Sequence, residues 1–189
     1  GGILSVVAQN VTMTISIPEA AAQNGADIIA VHYPKKEVSD GVFQVALGDL
    51  YAEETRDVLF EVTLVSPRNS SDTPIPHALV ELSYIDTIKH SNIGPMSCMA
   101  NIARPNNDDL GWPDSYVAIQ WMRVRTAKAI AQAEHLASIG ELDQAKKELH
   151  KWIESFQKEK FEIGSQDPLL DQLLADLNDC LDMLMHSNY

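Results

Sequence analysis

Only two cysteines occur in 189 residues, Cys98 and Cys180. So few exclude a disulfide framework and favour a reducing, cytoplasmic compartment. No apolar run reaches the roughly 18 residues that a membrane span requires, and no secretory leader opens the chain. The first residues are Gly1, Gly2 and Ile3 rather than Met, so the sequence is expected to be part of a longer protein. Cations are also scarce: 14 Lys and Arg stand against 27 Asp and Glu, a net charge of −13. That balance repels phosphate backbones and argues against a nucleic-acid partner. The deficit is sharpest in residues 167–189, which hold Asp167, Asp171, Asp176, Asp179 and Asp182 and no Lys or Arg. Such a face is either solvated surface or a docking surface for a basic partner.

Catalytic signatures are missing as well. There is no GxSxG elbow, P-loop or dinucleotide fingerprint. His32, His77, His90, His135, His150 and His186 are scattered, and none stands in an HExxH, HxH or C-x-x-C setting. Cys180 lies on the apolar side of a leucine-rich segment, where a buried, inert thiol is expected. Cys98, flanked by Met96 and Met99, is expected in or near the core.

What the chain does have is periodicity. Its 45% hydrophobic content suits a soluble globular protein. In residues 11–17, "VTMTISI", Val11, Met13, Ile15 and Ile17 alternate with Thr12, Thr14 and Ser16, a period of two that marks a half-buried strand. Further strands are expected in "ADIIAVHY", "GVFQVALGDL", "RDVLFEVTLV" and "HALVELSYIDTI". In the last of these, Ala78, Val80, Leu82 and Tyr84 share one face. The intervening "SPRNSSDTPIP" has loop composition.

From Asp114 the period changes to that of helices. Asp114 or Ser115 caps the first. Val117, Trp121, Val124, Ala127 and Ala131, with Glu134 or His135, form its predicted stripe, and Gly140 ends it. The second helix carries Leu142, Ala145, Leu149, Ile153 (or Trp152) and Phe156 on one face. Asp167 and Pro168 open the third, with a seam of Leu170, Leu173, Leu174, Leu177, Leu181 and Leu184. Residues 133–149 have the small-residue pattern of a tetratricopeptide hairpin, but one unit cannot bury a solenoid core. The expected fold class is α+β: an antiparallel β-sandwich over residues 1–104, a linker over 105–116 and a three-helix antiparallel bundle over 117–189.

Two acidic stretches raise the question of chemistry. Asp49, Glu53, Glu54 and Asp57 in "GDLYAEETRD" offer oxygen ligands to a hard cation, but the spacing lacks the sixth-position Gly and twelfth-position Glu of an EF-hand. The structural reading has Gly48 and Asp49 making a turn, Tyr51 packing and Arg56 pairing with a carboxylate. In "NNDDLGWPDSY", Asp108, Asp109 and Asp114 offer a similar choice between calcium and a polar linker that ends at a helix cap, with Trp112 plugging the junction. No catalytic, cofactor-binding or metal-ligating residue is assigned.

The segment "VALGDLYAEETRDVLFEVTL" resembles the region that follows the von Willebrand factor A (VWA) domain in intracellular VWA proteins. These include plant VWA proteins with RING-type zinc fingers and the Vwaint region of VWA–Hint proteins. The opening "GGILSVVAQNVTMTI" and the helical "VRTAKAIAQAEHLASIGELDQAKKEL" share the likeness, though only residues 48–57 are specific to it. The resemblance implies a sandwich and bundle placed after a VWA domain, with no catalytic residue. No D-x-S-x-S metal motif of the VWA domain and no RING cysteines occur here, so a ubiquitin link rests on the relatives alone. The expected function is a non-enzymatic interaction or scaffolding module, binding other proteins or forming a homodimer through its last helix. The competing readings are a hydrolase with a spatially assembled site and a calcium-binding module.

Overall fold

The computed structural model describes residues 5–64, 71–104 and 113–186. The chain divides into two compact units, Gly1–Leu110 and Gly111–Tyr189. The first is built of strands β1 (Val6–Ser16), β2 (Asp27–Val31), β3 (Lys35–Ser39), β4 (Val42–Tyr51), β5 (Phe60–Thr63), β6 (Ser71–Asp86) and β7 (Ser91–Arg104), with a single helical turn, α1 (Glu19–Ala22). The second consists of α2 (Ser115–Ser138), α3 (Leu142–Ile163) and α4 (Pro168–His186).

All described strand pairs are antiparallel. Five strands form one sheet in the order β3-β4-β1-β6-β7, and β2 pairs with β5 in a second. The alternation in β1 places Val11 and Ile15 in a core with Val45 and Leu47 of β4, and Ile28 and Val31 of the smaller sheet close it. Ala78 is buried, and Val80, Leu82 and Tyr84 of β6 pack against the same core. The two sheets thus share one apolar layer, as period-two strands facing each other must.

Four readings are corrected. Gly48 and Asp49 do not make a turn; they lie inside β4, and the chain turns after Tyr51. Tyr51 does not pack, being 44% exposed. The loop composition of residues 66–76 misleads over Ser71–Pro76, which extend β6; residues 65–70 lie outside the described residues. Cys98 is not in the core but exposed on β7. It faces Val80 in register, yet β7 is the edge strand. The shared core takes its residues from β1, β2, β4, β5 and β6, so its apolar layer stops short of β7. Met96 and Met99 are correspondingly 46% and 44% exposed.

In the helical unit the expected caps are present. Asp114 Oδ1 accepts from the Val117 N–H at 3.0 Å, and Asp167 Oδ1 accepts from the Leu169 N–H at 2.9 Å; each satisfies an amide that the helix start leaves free. Gly164 adopts the left-handed conformation that stops α3. Ala145, Leu149, Ile153 and Phe156 of α3 and Leu170, Leu173, Leu177, Cys180 and Leu184 of α4 are buried in one core. Each buried leucine stabilises the unit by about 1.5–3 kcal/mol.

The stripe expected on α2 is rotated. Ile119, Met122, Thr126 and Ala133 are buried, whereas Val117, Ala127, Ala131, Glu134 and His135 are exposed. Apolar residues occupy two faces of this helix, and α3 and α4 together select the one nearer Met122. α2 also begins at Ser115, inside the segment read as a linker.

Candidate interaction surface

The stretch of residues 48–57 is a structural clamp. Ala8 and Val11 both point inward although three residues apart, and the β1–β4 register shifts between them and again after Val11. Opposite Val11 stands Gly48 with φ of +76°, a backbone conformation open to glycine at little cost. At this irregularity the Asn10 N–H donates to Asp49 Oδ1 at 3.1 Å. Arg56 then reaches back across the bulge: Nη1 donates to the Leu47 carbonyl, Nη2 to the Asp49 carbonyl at 3.0 Å, and Nε to Glu54 Oε1 at 2.7 Å. Glu54 Oε2 in turn accepts from the Tyr51 N–H at 3.0 Å. That backbone donor, with Arg56 beside it, holds the Glu54 carboxyl below its usual range, and Glu54 raises the Arg56 guanidinium. The Asp49 and Glu54 carboxylates therefore serve neighbouring donors, and Glu53 is exposed.

No group of three or more His, Cys, Asp or Glu side chains able to hold a metal occurs among the described residues. Asp108, Asp109 and Trp112 lie outside them; Asp114 is the α2 cap. Two histidines have partners other than a thiol: a carboxylate for His32 and a backbone carbonyl for His77. His32 Nε2 sits 2.6 Å from Glu61 Oε1, and buried His77 bonds the Ile75 carbonyl at 2.9 Å. Cys180 is buried as expected, and its thiol is pushed up by burial, then by nearby Glu134. No described helix is long and apolar enough to cross a membrane.

Charge in the helical unit is polarised. α2 carries Arg123, Arg125 and Lys128 against the single acid Glu134, while α4 carries Asp171, Asp176, Asp179 and Asp182 and no Lys or Arg. The leucine seam of α4 faces inward, so the surface it offers is its outer face, where Asp179, Asp182, Met183 and His186 line a shallow depression. Met183 and Met185 are 63% and 54% exposed there. Asp171 is paired with Lys160, and Asp176 accepts from Gln172 at 2.8 Å.

Between α2 and α3 runs a groove of about 320 Å³, lined by Arg125, Lys128, Gln132, Glu148, Lys151 and Trp152. The Arg125 guanidinium stacks 4.2 Å over the Trp152 ring, and its Nη1 donates to both Glu159 oxygens at 3.0 and 2.8 Å. Trp152 Nε1 donates to buried Thr126 at 3.3 Å. Sequence reasoning missed this groove. The signal was the cationic bias of α2, invisible while its buried face was misplaced. A larger cleft of about 710 Å³ lies beside Trp121, Pro113 and Ile163.

The sequence matches no protein-family model and no curated protein. The fold, however, is similar to that of a von Willebrand factor type A protein from Catenulispora acidiphila, with a TM-score of 0.60 at 19% identity, over 96% of this chain and 39% of that chain. A second solved structure, the ArnB paralog VWA2 from Sulfolobus acidocaldarius, aligns with a TM-score of 0.44 at 18% identity, over 95% of this chain and 42% of that one. The chain is thus related in fold to a VWA protein of which it spans well under half the length.

Proposed function

We propose that this chain is a non-enzymatic protein-interaction module, an antiparallel β-sandwich followed by a three-helix bundle, within a larger cytoplasmic VWA-domain protein. The observation that carries the reading is the coverage of the structural likeness: nearly all of this chain aligns to a minor part of a VWA protein. A piece of that kind suits the region after the VWA domain that residues 48–57 resemble. The clamped acidic stretch supports the same reading, because its Asp49 and Glu54 carboxylates accept from backbone and Arg56 donors. A scaffolding role, and any ubiquitin link, rest on the resemblance alone.

The binding element of this proposal is the outer face of α4, with Asp179, Asp182 and Met183, facing a basic partner or a second copy. The leucine seam packs into the helical core, so the pairing proposed here uses the outer face instead, and deleting α4 would strip five buried residues from that core. The test is light scattering after size-exclusion chromatography on the full chain, with calcium and with chelator, for the wild type and Met183→Glu. A calcium-independent dimer that Met183→Glu splits supports assembly through α4. A wild-type monomer, or a dimer untouched by the variant, removes self-association from the proposal. A calcium-dependent mass would favour the calcium-binding reading instead.

A further inference from the structure

We infer that the α2–α3 groove, walled by Lys128 and Lys151 above the Arg125–Trp152 stack, docks an acidic peptide segment of a partner protein. This deepens the interaction-module reading and rests on it, but it uses a different surface from α4.

Two of the six lysines of this unit form a salt bridge, and Lys146, half-buried on α3, forms none among the described residues. Lys158 and Lys160 have carboxylate partners, Glu162 and Asp171. Lys128 and Lys151 face the groove, and Lys147 stands one turn before Lys151; these three are exposed and form no salt bridge among the described residues. Lys128 instead sits 5.8 Å from the Trp121 ring. The charges of Lys128 and Lys151 are therefore not balanced by a carboxylate within salt-bridge reach among the described residues, although the chain holds 27 acids and 14 bases. Glu148, the acid among the groove-lining residues, accepts from Gln144 Nε2 on its own helix at 2.8 Å.

The floor is already ordered. Arg125 is neutralised by Glu159, which also accepts from Ser155 Oγ at 3.0 Å, and Trp152 is pinned from below by Thr126. A ligand therefore meets a fixed aromatic and aliphatic surface flanked by cations, and ordering that surface adds no cost to binding. A groove running between two helices fits a peptide laid along it, with carboxylates on the lysines and apolar stems against Ala129 and Trp152.

Two other anions fit less well. A small anion such as phosphate is best held by converging amide donors at a loop or helix start, and this groove lies along helix interiors whose amides are already bonded. A nucleic acid would bring its charge against the rest of a chain of net charge −13. A peptide's few carboxylates stay within a Debye length, about 8 Å at physiological salt, of the lysines.

The test titrates the full chain into a fluorescein-labelled polyglutamate peptide and reads fluorescence polarisation at low and at physiological salt. The double variant Lys128→Glu/Lys151→Glu is compared with Lys158→Glu, which lies outside the groove. The expected result is saturable binding that weakens with salt, falls about tenfold or more in the double variant and is unchanged in Lys158→Glu. Circular dichroism melts check that the variants fold, as exposed positions should. Absence of binding, or equal binding by wild type and double variant, overturns the proposal. So does displacement of the peptide by inorganic phosphate or single-stranded DNA as readily as by unlabelled peptide. If the double variant also dissolves a wild-type dimer, the occupant is a second copy instead. Peptide binding that survives Met183→Glu, with no mass change, would sink the α4 surface alone and leave the groove standing.

Discussion

The Arg125 guanidinium lies 4.2 Å above the centre of the Trp152 ring while Glu159 holds it from the side, joining α2 to α3 through a cation, an aromatic and a carboxylate. Both charged partners are about a third exposed, so solvent weakens the ion pair and the stack carries much of the effect. Arg125→Ala is expected to destabilise the helical unit by about 1–2 kcal/mol. Arg125→Lys should recover less than half of that, since an ammonium neither stacks nor forks as a guanidinium does. Urea titration followed by tryptophan emission reads this unit. An unchanged midpoint in Arg125→Ala would show the stack to be energetically idle.

The bulge clamp predicts a second pattern. Arg56 supplies donors to two backbone carbonyls and to Glu54. Its loss in Arg56→Ala leaves these acceptors to water and loosens β4 locally. Amide hydrogen exchange along β4 should speed up near Leu47 and Asp49 while the helices stay protected. Exchange that accelerates evenly through both units would contradict a local clamp.

Two glycines separate conformational from steric strain. At Gly48 an added Cβ would come no closer than 3.9 Å to Arg56, so Gly48→Ala meets only the positive φ and costs about 1–2 kcal/mol. At Gly94, with φ of +108°, a Cβ would lie 2.5 Å from the Leu82 carbonyl oxygen and 2.9 Å from the Ser83 Cα. Backbone atoms cannot swing aside, so Gly94→Ala should destabilise the β6–β7 pair by more than 2 kcal/mol. Thermal melts of the two variants should rank them in that order, and equal midpoints would refute the distinction.

Acid should weaken the β unit before the helices. Glu54 and Asp86 both titrate below their usual values, Glu54 chiefly through the Tyr51 N–H and Asp86 through the N–H of Lys89. A carboxyl whose folded pKa is depressed stabilises fully above its unfolded pKa and loses that contribution as pH falls through the folded one. The loss therefore begins as pH drops below the ordinary carboxylate range, near pH 4. Glu54→Gln should flatten the dependence. A slope identical to wild type would assign the acid sensitivity elsewhere.

The two thiols should differ in reactivity. Cys98 is exposed on the edge strand, while burial raises the Cys180 thiol within the helical core. A thiol reagent on the native chain is expected to label Cys98 quickly and Cys180 only on unfolding. Equal rates would mean that α4 opens as readily as β7.

Much of the architecture was legible because it depends on local period and end chemistry. Val11, Met13 and Ile15 announce β1, Val80, Leu82 and Tyr84 one face of β6, and Asp114 and Asp167–Pro168 the starts of α2 and α4. Each signal needs only neighbours within a turn or a pleat, which is the range over which backbone sterics and hydrogen bonding act. The inward stripes of α3 and α4 were readable for the same reason, since each has a single apolar face. α2 was not, because its apolar residues lie on two faces and only packing against α3 and α4 decides which is buried.

The remaining features depend on contacts between distant parts of the chain. "GDLY" has turn composition, yet pairing of β4 with β1 draws Gly48 and Asp49 into a bulged strand, and Arg56 can be seen to clamp it only once that pairing exists. Cys98 sits among methionines, as core cysteines do, but strand order places β7 at an edge where the second sheet no longer covers it. The groove of Lys128 and Lys151 joins residues 23 positions apart whose apposition exists only when α2 and α3 are packed. Composition and period determined which elements form; tertiary packing decided which of their faces are covered, because burial is a property of neighbours that the local sequence does not contain.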